Sequence, residues 1–343
     1  MSVNDVVEVG AGRRVLVVVP SVAMGTWLLD VVSLFAADRR IATVTTAADV
    51  PPGAADFLRA HGFPPLRWGD AVRREFDLVL AADPRGLAQL RGEPLLLPRS
   101  AGVLPPVSRR DALPGDGRVI PRVLGLSHTS ELAALRNSWP EAIPVATVVG
   151  DLYYDRLLAS IPFRADYRDA FGLSRGRKLV LVTSAGDFAL RNRLFHVLPA
   201  DRYQVIVQPE EGWRAALVAA DLVIGDLGAT TRYAAAIGLP VMIAEAPADG
   251  PRADGAAELL RPAPRLRPDR PVRHQVDAAM TADRGWQDEI AGRITSRAGY
   301  TADILRRTIY RLLDLAEPAL PAPSFPVSFP HVNRDVARPG VYT

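Results

Sequence analysis

The stretch "AADLVIGDLGATTRYAAAIGLPVMIAE", residues 219–245, decides the fold class. Leu222-Val223-Ile224 is a short branched apolar run of the kind that forms a buried strand, and Gly225-Asp226 ends it. Thr230 to Ile237 reads as a helix, closed by Gly238 and followed by Pro240. Pro240 to Ala244 restarts as a second apolar strand. The stretch is therefore a β-α-β unit, and its strand-to-helix turn is where α/β proteins bind ligands.

The same alternation extends outward. Strands are predicted at Arg14–Pro20, Ile41–Thr45, Asp77–Ala81, Pro94–Pro98, Val119–Leu126 and Val145–Val149. Helices are predicted at Met24–Ala37, Ala54–His61 and Glu131–Asn137. After a connecting segment, Gly150–Arg177, "KLVLVTSAGD" opens a second series. Helix Phe188–Leu198, strand "YQVIVQP" and helix Trp213–Ala220 follow, then the quoted unit. Strands alternating with helices make a parallel sheet, and a restart half-way makes two of them. The predicted fold class is α/β: two Rossmann-like domains facing a central cleft, with C-terminal helices and a proline-rich tail. The expected boundaries are 1–148, 149–318 and 319–343. Asp283–Arg297 and Thr301–Leu315 read as the two closing helices, the second with Ile304, Ile309, Leu312 and Leu313 on one face.

Composition excludes several function classes. The 343 residues are 48% hydrophobic and 23% charged, and the net charge is only +3 despite a pI of 9.4. Lys178 is the sole lysine, and no Lys/Arg run carries interleaved aromatics, which argues against nucleic-acid binding. The absence of cysteine excludes disulfides, thiolate nucleophiles and Cys-ligated zinc, and suits a cytoplasmic protein. Val15–Ala37 is long enough to span a bilayer, but Pro20 and Gly25 split it into strand, loop and helix, so no transmembrane segment is expected. Met1–Gly12 is acidic and lacks the basic start of a signal peptide. No HxxxH, ExxH, Walker or GxGxxG pattern occurs, so neither a metal nor a cofactor is expected.

"PVATVVGDLYYDRLLASIPFRADYRDAFGL", "KLVLVTSAGD" and "EEGWRAALVAADLVIGDLGATTRYAAAIGLPVMIA" together resemble the GT-B transferases, over roughly residues 145–245. The likeness is nearest to the actinobacterial CDP-glycerol glycerophosphotransferase type, and the turn also looks like the donor-binding segment of lipid II GlcNAc transferases. The resemblance implies a CDP- or UDP-linked donor whose diphosphate sits on a helix N-terminus, where unpaired N–H groups and a partial positive charge converge. It assigns phosphate or nucleotide contacts to Gly228, Ala229, Thr230 and Thr231, with Trp213 and Glu211 in the base-side loop and Ser184 and Gly186 on the neighbouring strand end. It also implies that the last helix crosses back to the first domain.

The departures concern the chemistry. The five histidines, His61, His128, His196, His274 and His331, match none of the cleft histidines of that type, and Arg99 in "LLLPRSAG" stands where a histidine is expected. A strand-helix unit before Trp213 is missing. The catalytic candidates are His128, as a general base, and Asp226, as an acceptor-orienting carboxylate. The bland readings are a helix-cap neighbour and a helix cap. Ser21, Gly25 and Thr26 form the counterpart loop of the first domain, and Asp151 and Asp155, in the connection between the domains, are expected to pair with Arg156. Two functions remain: a sugar or polyol-phosphate transferase with reduced or lost activity, and a non-catalytic GT-B-shaped scaffold. The tail is a candidate surface for a protein partner, and peripheral membrane contact is left open.

Overall fold

The computed structural model describes residues 12–47, 53–98, 101, 121–183, 188–209, 211–244 and 256–330. Two compact units emerge, Met1–Asp155 with Arg293–Ser324, and Arg156–Gly292 with Phe325–Thr343.

The first unit carries a six-stranded sheet: β1 (Arg13–Val19), β2 (Ile41–Ala47), β3 (Glu75–Ala81), β4 (Arg91–Leu96), β5 (Val123–Leu126) and β6 (Ala146–Val148). Every pairing is parallel, in the order β2-β1-β3-β4-β5-β6. Val15 to Val19 are all buried, because a parallel strand covered on both faces needs a continuous apolar run and not an alternating one. Helices α1 (Val22–Val32), α2 (Ala54–Ala60), α3 (Trp68–Arg73) and α4 (Glu131–Ser138) accompany the strands. Ser21 caps α1 by accepting the Met24 N–H, so the apolar run divides into strand and helix as its proline predicted. Among the described residues no helix is long and apolar enough to cross a membrane.

Five helices belong to the second series: α5 (Leu152–Ser160), α6 (Arg164–Ala170), α7 (Phe188–Val197), α8 (Trp213–Ala219) and α9 (Ala229–Ala236). Four more follow, α10 (Ala256–Leu259), α11 (Val272–Thr281), α12 (Gln287–Ile294) and α13 (Thr301–Leu312). The second sheet is also all parallel, in the order β10-β9-β7-β8, with β7 (Lys178–Val182), β8 (Tyr203–Val207), β9 (Leu222–Gly225) and β10 (Val241–Ile243). Its core joins Val180, Val182, Leu222 and Ile224 to Val272 and Val276 of α11. At the start of β9, Asp221 binds Arg164 at 3.0 Å, Arg168 at 2.8 Å and the Leu179 N–H at 2.7 Å. Burial alone would raise the Asp221 carboxyl, but the Leu179 N–H and the two guanidinium groups hold it below its ordinary value.

The closing segment departs from the expected 149–318 boundary, since residues 293–324 pack in the first unit. The cause is local. Asp155, itself buried, accepts the N–H groups of Gly299 and Thr301 at 2.7 and 3.1 Å and so caps α13. Arg156, its expected partner, instead donates to the carbonyls of Phe325 and Pro326, both at 3.0 Å. The buried face of α13 is Ala302, Leu305, Ile309 and Leu313, with Ile304 and Leu312 half-buried at its margin. Tyr310 anchors the helix on Asp38 at 2.8 Å, and burial together with that carboxylate pushes its phenol up to about 12. The described tail divides between the units. Leu320 and Ala322 bond to Arg306 and Asp303 of α13. From Phe325 on it packs in the second unit, where Val327 is buried, its N–H donates to Ser160, and its carbonyl accepts from Tyr167.

Candidate functional site

In the second sheet β7 is flanked by β8 on one side and β9 on the other, so the chain reverses its direction of build-up between β7 and β9. In doubly wound sheets ligands bind beyond the carboxyl ends of the strands at that reversal. Thr183 follows β7 there, and Gly225 closes β9. The Thr183 N–H donates to Ile224 and the Ala244 N–H to Gly225, which fixes three strand ends side by side. Above Gly225 the hydroxyls of Thr183 and Thr231 meet at 3.2 Å. A Cβ at Gly225 would strike both hydroxyls, so only glycine lets the helix approach the sheet this closely.

The turn itself runs from Asp226 to Gly228. Gly228 is the N-cap of α9 in extended backbone, φ −71° and ψ 175°. Its N–H donates to Asp226 Oδ1 at 2.8 Å, so the exposed carboxylate folds back onto the helix terminus as an Asx turn. The N–H groups of Ala229 and Thr230 have no acceptor inside the helix, as first-turn geometry dictates. The Thr230 hydroxyl lies beside them without a hydrogen bond among the described residues. Arg232, one turn on and 9% exposed, aims Nε at the Gly228 carbonyl at 3.5 Å.

Several assignments need correction. Thr231 is fully buried and its hydroxyl is committed to Thr183, so it faces the sheet and not a ligand. Trp213 is 4% exposed and lies against Tyr233 with ring centres 6.2 Å apart, which makes it core and removes it as a stacking face. Glu211 is exposed on the β8–α8 loop, ahead of Gly212 with φ +73°. Ser184, Gly186 and Arg99 lie outside the described residues.

The two catalytic candidates fall in different units. His128 Nδ1 accepts the Ser130 N–H at 3.0 Å and lies 2.8 Å from its hydroxyl, which closes the turn leading into α4. The turn around it is fixed further by Ser296, which accepts the Thr129 N–H at 2.9 Å. Asp226 likewise closes the turn before its helix, through the Gly228 N–H. In the first-domain loop Ser21 Oγ accepts the Met24 N–H, Thr26 donates to the Val22 carbonyl at 3.1 Å, and Gly25 packs on Phe57, so each has a local structural role. Sequence reasoning missed Thr183 and Gly225. Their only signal is adjacency to strand ends, which acquires meaning once strand order is known.

Neither a family profile nor a curated protein matches the chain. Solved structures do. The wall teichoic acid polymerase TagF, soaked with CDPG, is 12% identical over 89% of this chain and 90% of its own, with a TM-score of 0.57. A UDP-N-acetylglucosamine 2-epimerase is 14% identical over 90% and 99%, with a TM-score of 0.55. The S. aureus MnaA–UDP complex is 10% identical over 89% and 99%, with a TM-score of 0.52. The fold is GT-B-like. At such identities the likeness establishes the α/β architecture with its two parallel sheets, and the chemistry has to be argued from the residues.

Proposed function

We propose that the protein binds a CDP- or UDP-type nucleotide-linked donor at the β9–α9 turn and transfers its sugar or polyol phosphate to a hydroxyl acceptor at a much reduced rate. The observation that carries this reading is the start of α9, where the first-turn N–H groups of Ala229 and Thr230 lie at the reversal point of a parallel sheet, with the largely buried Thr230 side chain among them. A diphosphate oxygen accepting those N–H groups would replace water at a terminus that already favours negative charge. The GT-B-like fold and the nucleotide ligands named for similar structures, CDPG and UDP, support the ligand class.

The low rate follows from two side chains committed to turn hydrogen bonds. His128 spends Nδ1 on Ser130, and Asp226 spends one carboxylate oxygen on Gly228. A positioned general base contributes about 10²- to 10⁴-fold, so its loss suppresses turnover far more than binding. Asp226 also places a negative charge where the diphosphate would sit, which lowers affinity without abolishing it. Thermal-shift screening against CDP-, UDP- and GDP-linked donors, followed by calorimetry and a donor-hydrolysis assay, tests the proposal. Binding of none of them sinks it. Binding with no turnover above background would make the protein a non-catalytic nucleotide-binding module.

A further inference from the structure

A second cluster lies at the opposite edge of the same sheet, where β7, β9 and β10 begin. Lys178 opens β7, Asp221 precedes β9, and Pro240 precedes β10. They border a cavity of about 290 Å³ together with Arg164, Leu239 and Arg284. Carbonyls at helix ends would normally repel an anion at such an edge. Here they are covered. Arg164 donates to Ala220 at 2.7 Å, Arg168 to Ala219 at 3.0 Å, Arg284 to Gly238 at 2.9 Å, and the Gln287 amide to Leu239 at 2.7 Å.

The charges do not balance. Asp221 is saturated by Arg164, Arg168 and the Leu179 N–H. Lys178 Nζ stands 4.0 Å from Asp221, beyond hydrogen-bond reach, with its side chain 53% exposed. Arg284 forms no ion pair among the described residues, although Asp283 and Asp288 lie beside it, and only one of its nitrogens is engaged. Arg164, Arg168 and Lys178 thus surround Asp221, and Arg284, with Asp283 and Asp288 beside it, borders the same cavity as Lys178 and Arg164.

We infer that this cavity is an anion site for a phosphate group, held by Lys178 and Arg284 with Arg164 behind them, and separate from the donor turn. A phosphate suits it because the donors approach from different strands and helices. A tetrahedral dianion can accept from all of them, whereas a planar carboxylate meets only one fork well.

Because Lys178 is the sole lysine, its acetylation by an N-hydroxysuccinimide ester reports on one side chain, separable by mass spectrometry from the N-terminal amine. Inorganic phosphate should slow that reaction several-fold relative to chloride at equal ionic strength. Arg284→Gln, at an exposed position, should raise the phosphate concentration needed for half-maximal protection roughly tenfold or more, the loss expected for one hydrogen bond to a charged group. Lys178→Gln should remove the corresponding phosphate heat in calorimetry, while both variants keep the wild-type melting temperature within a few degrees. Glycerol phosphate and phosphatidate-containing vesicles, run as separate arms against phosphatidylcholine vesicles, tell a soluble phosphate from a lipid headgroup. Equal labelling in phosphate and chloride, or protection that survives Arg284→Gln undiminished, overturns the proposal. Neither variant touches Gly228, so nucleotide binding at the turn succeeds or fails independently.

Discussion

Thr183 and Thr231 share a hydroxyl hydrogen bond of 3.2 Å directly over Gly225, and this bond ties α9 to the end of β7. The helix N-terminus is therefore held by groups that belong to the core. Gly225→Ala should destabilise the second unit by about 1–3 kcal/mol, because both threonines must move from a packed interface. Denaturant titration measures it; an unchanged midpoint would mean that the hydroxyls have room to part.

Charge at the turn should tune affinity. Asp226→Asn keeps an oxygen for the Gly228 N–H and removes the carboxylate, so nucleotide binding should tighten by several-fold at low salt, with the gain shrinking as salt is added. Gly228→Asp should abolish binding, since a Cβ there already lies 2.6 Å from Asp226 Oδ1 and the added carboxylate would oppose the phosphate. Calorimetry on the two variants reads opposite directions. Matching affinities would exclude the turn as the phosphate site.

His128→Ala should cost stability and not rate. Losing the hydrogen bond that closes the turn before α4 is worth about 1 kcal/mol, whereas loss of a working general base would cut transfer at least about a hundredfold. Comparing the melting temperature with the residual hydrolysis rate separates the two, and a collapse in rate would restore His128 to catalysis.

Asp155→Ala should loosen the closing helix. Two backbone N–H groups lose a buried acceptor, at about 1–3 kcal/mol each, although water entering the gap reduces the total. Hydrogen exchange should accelerate first in residues 299–304, ahead of β1, and uniform acceleration across the first unit would contradict a local role for the cap.

Acid should weaken the second unit through Asp221. Its folded-state pKa is depressed, so its contribution is complete above the unfolded value of about 3.9 and fades as pH falls through the folded value. Asp221→Asn should lower stability at neutral pH and flatten the dependence below about pH 4. Parallel pH profiles for wild type and variant would show that the carboxylate is not responsible.

How much was legible depended on the range of the interaction. The run Val15–Val19 followed by Pro20, the unit at 222–244 and the restart at Lys178 declare their elements through local chemistry: branched apolar residues, a breaker, then a small-residue helix. Those signals are enough for two parallel α/β sheets. Asp226 and His128 are a middle case: they stand just before helix starts, where a local role is legible from the sequence, and the structure shows the turn hydrogen bonds they make to Gly228 and Ser130.

What only the tertiary structure decided is partnership across distance. Asp155 is adjacent in sequence to Arg156, yet its carboxylate serves backbone groups 144 and 146 residues away. The GT-B resemblance implies a base-side loop ending at Trp213, but packing against Tyr233 turns that ring inward. Lys178, Arg164, Arg168 and Arg284 are scattered along more than 100 residues and gather only because parallel strands all begin at one edge. A sequence specifies periodicity and turns residue by residue. Which side chains share a carboxylate or a cavity is fixed by strand order and register, and these emerge only when the whole chain buries its apolar surface together.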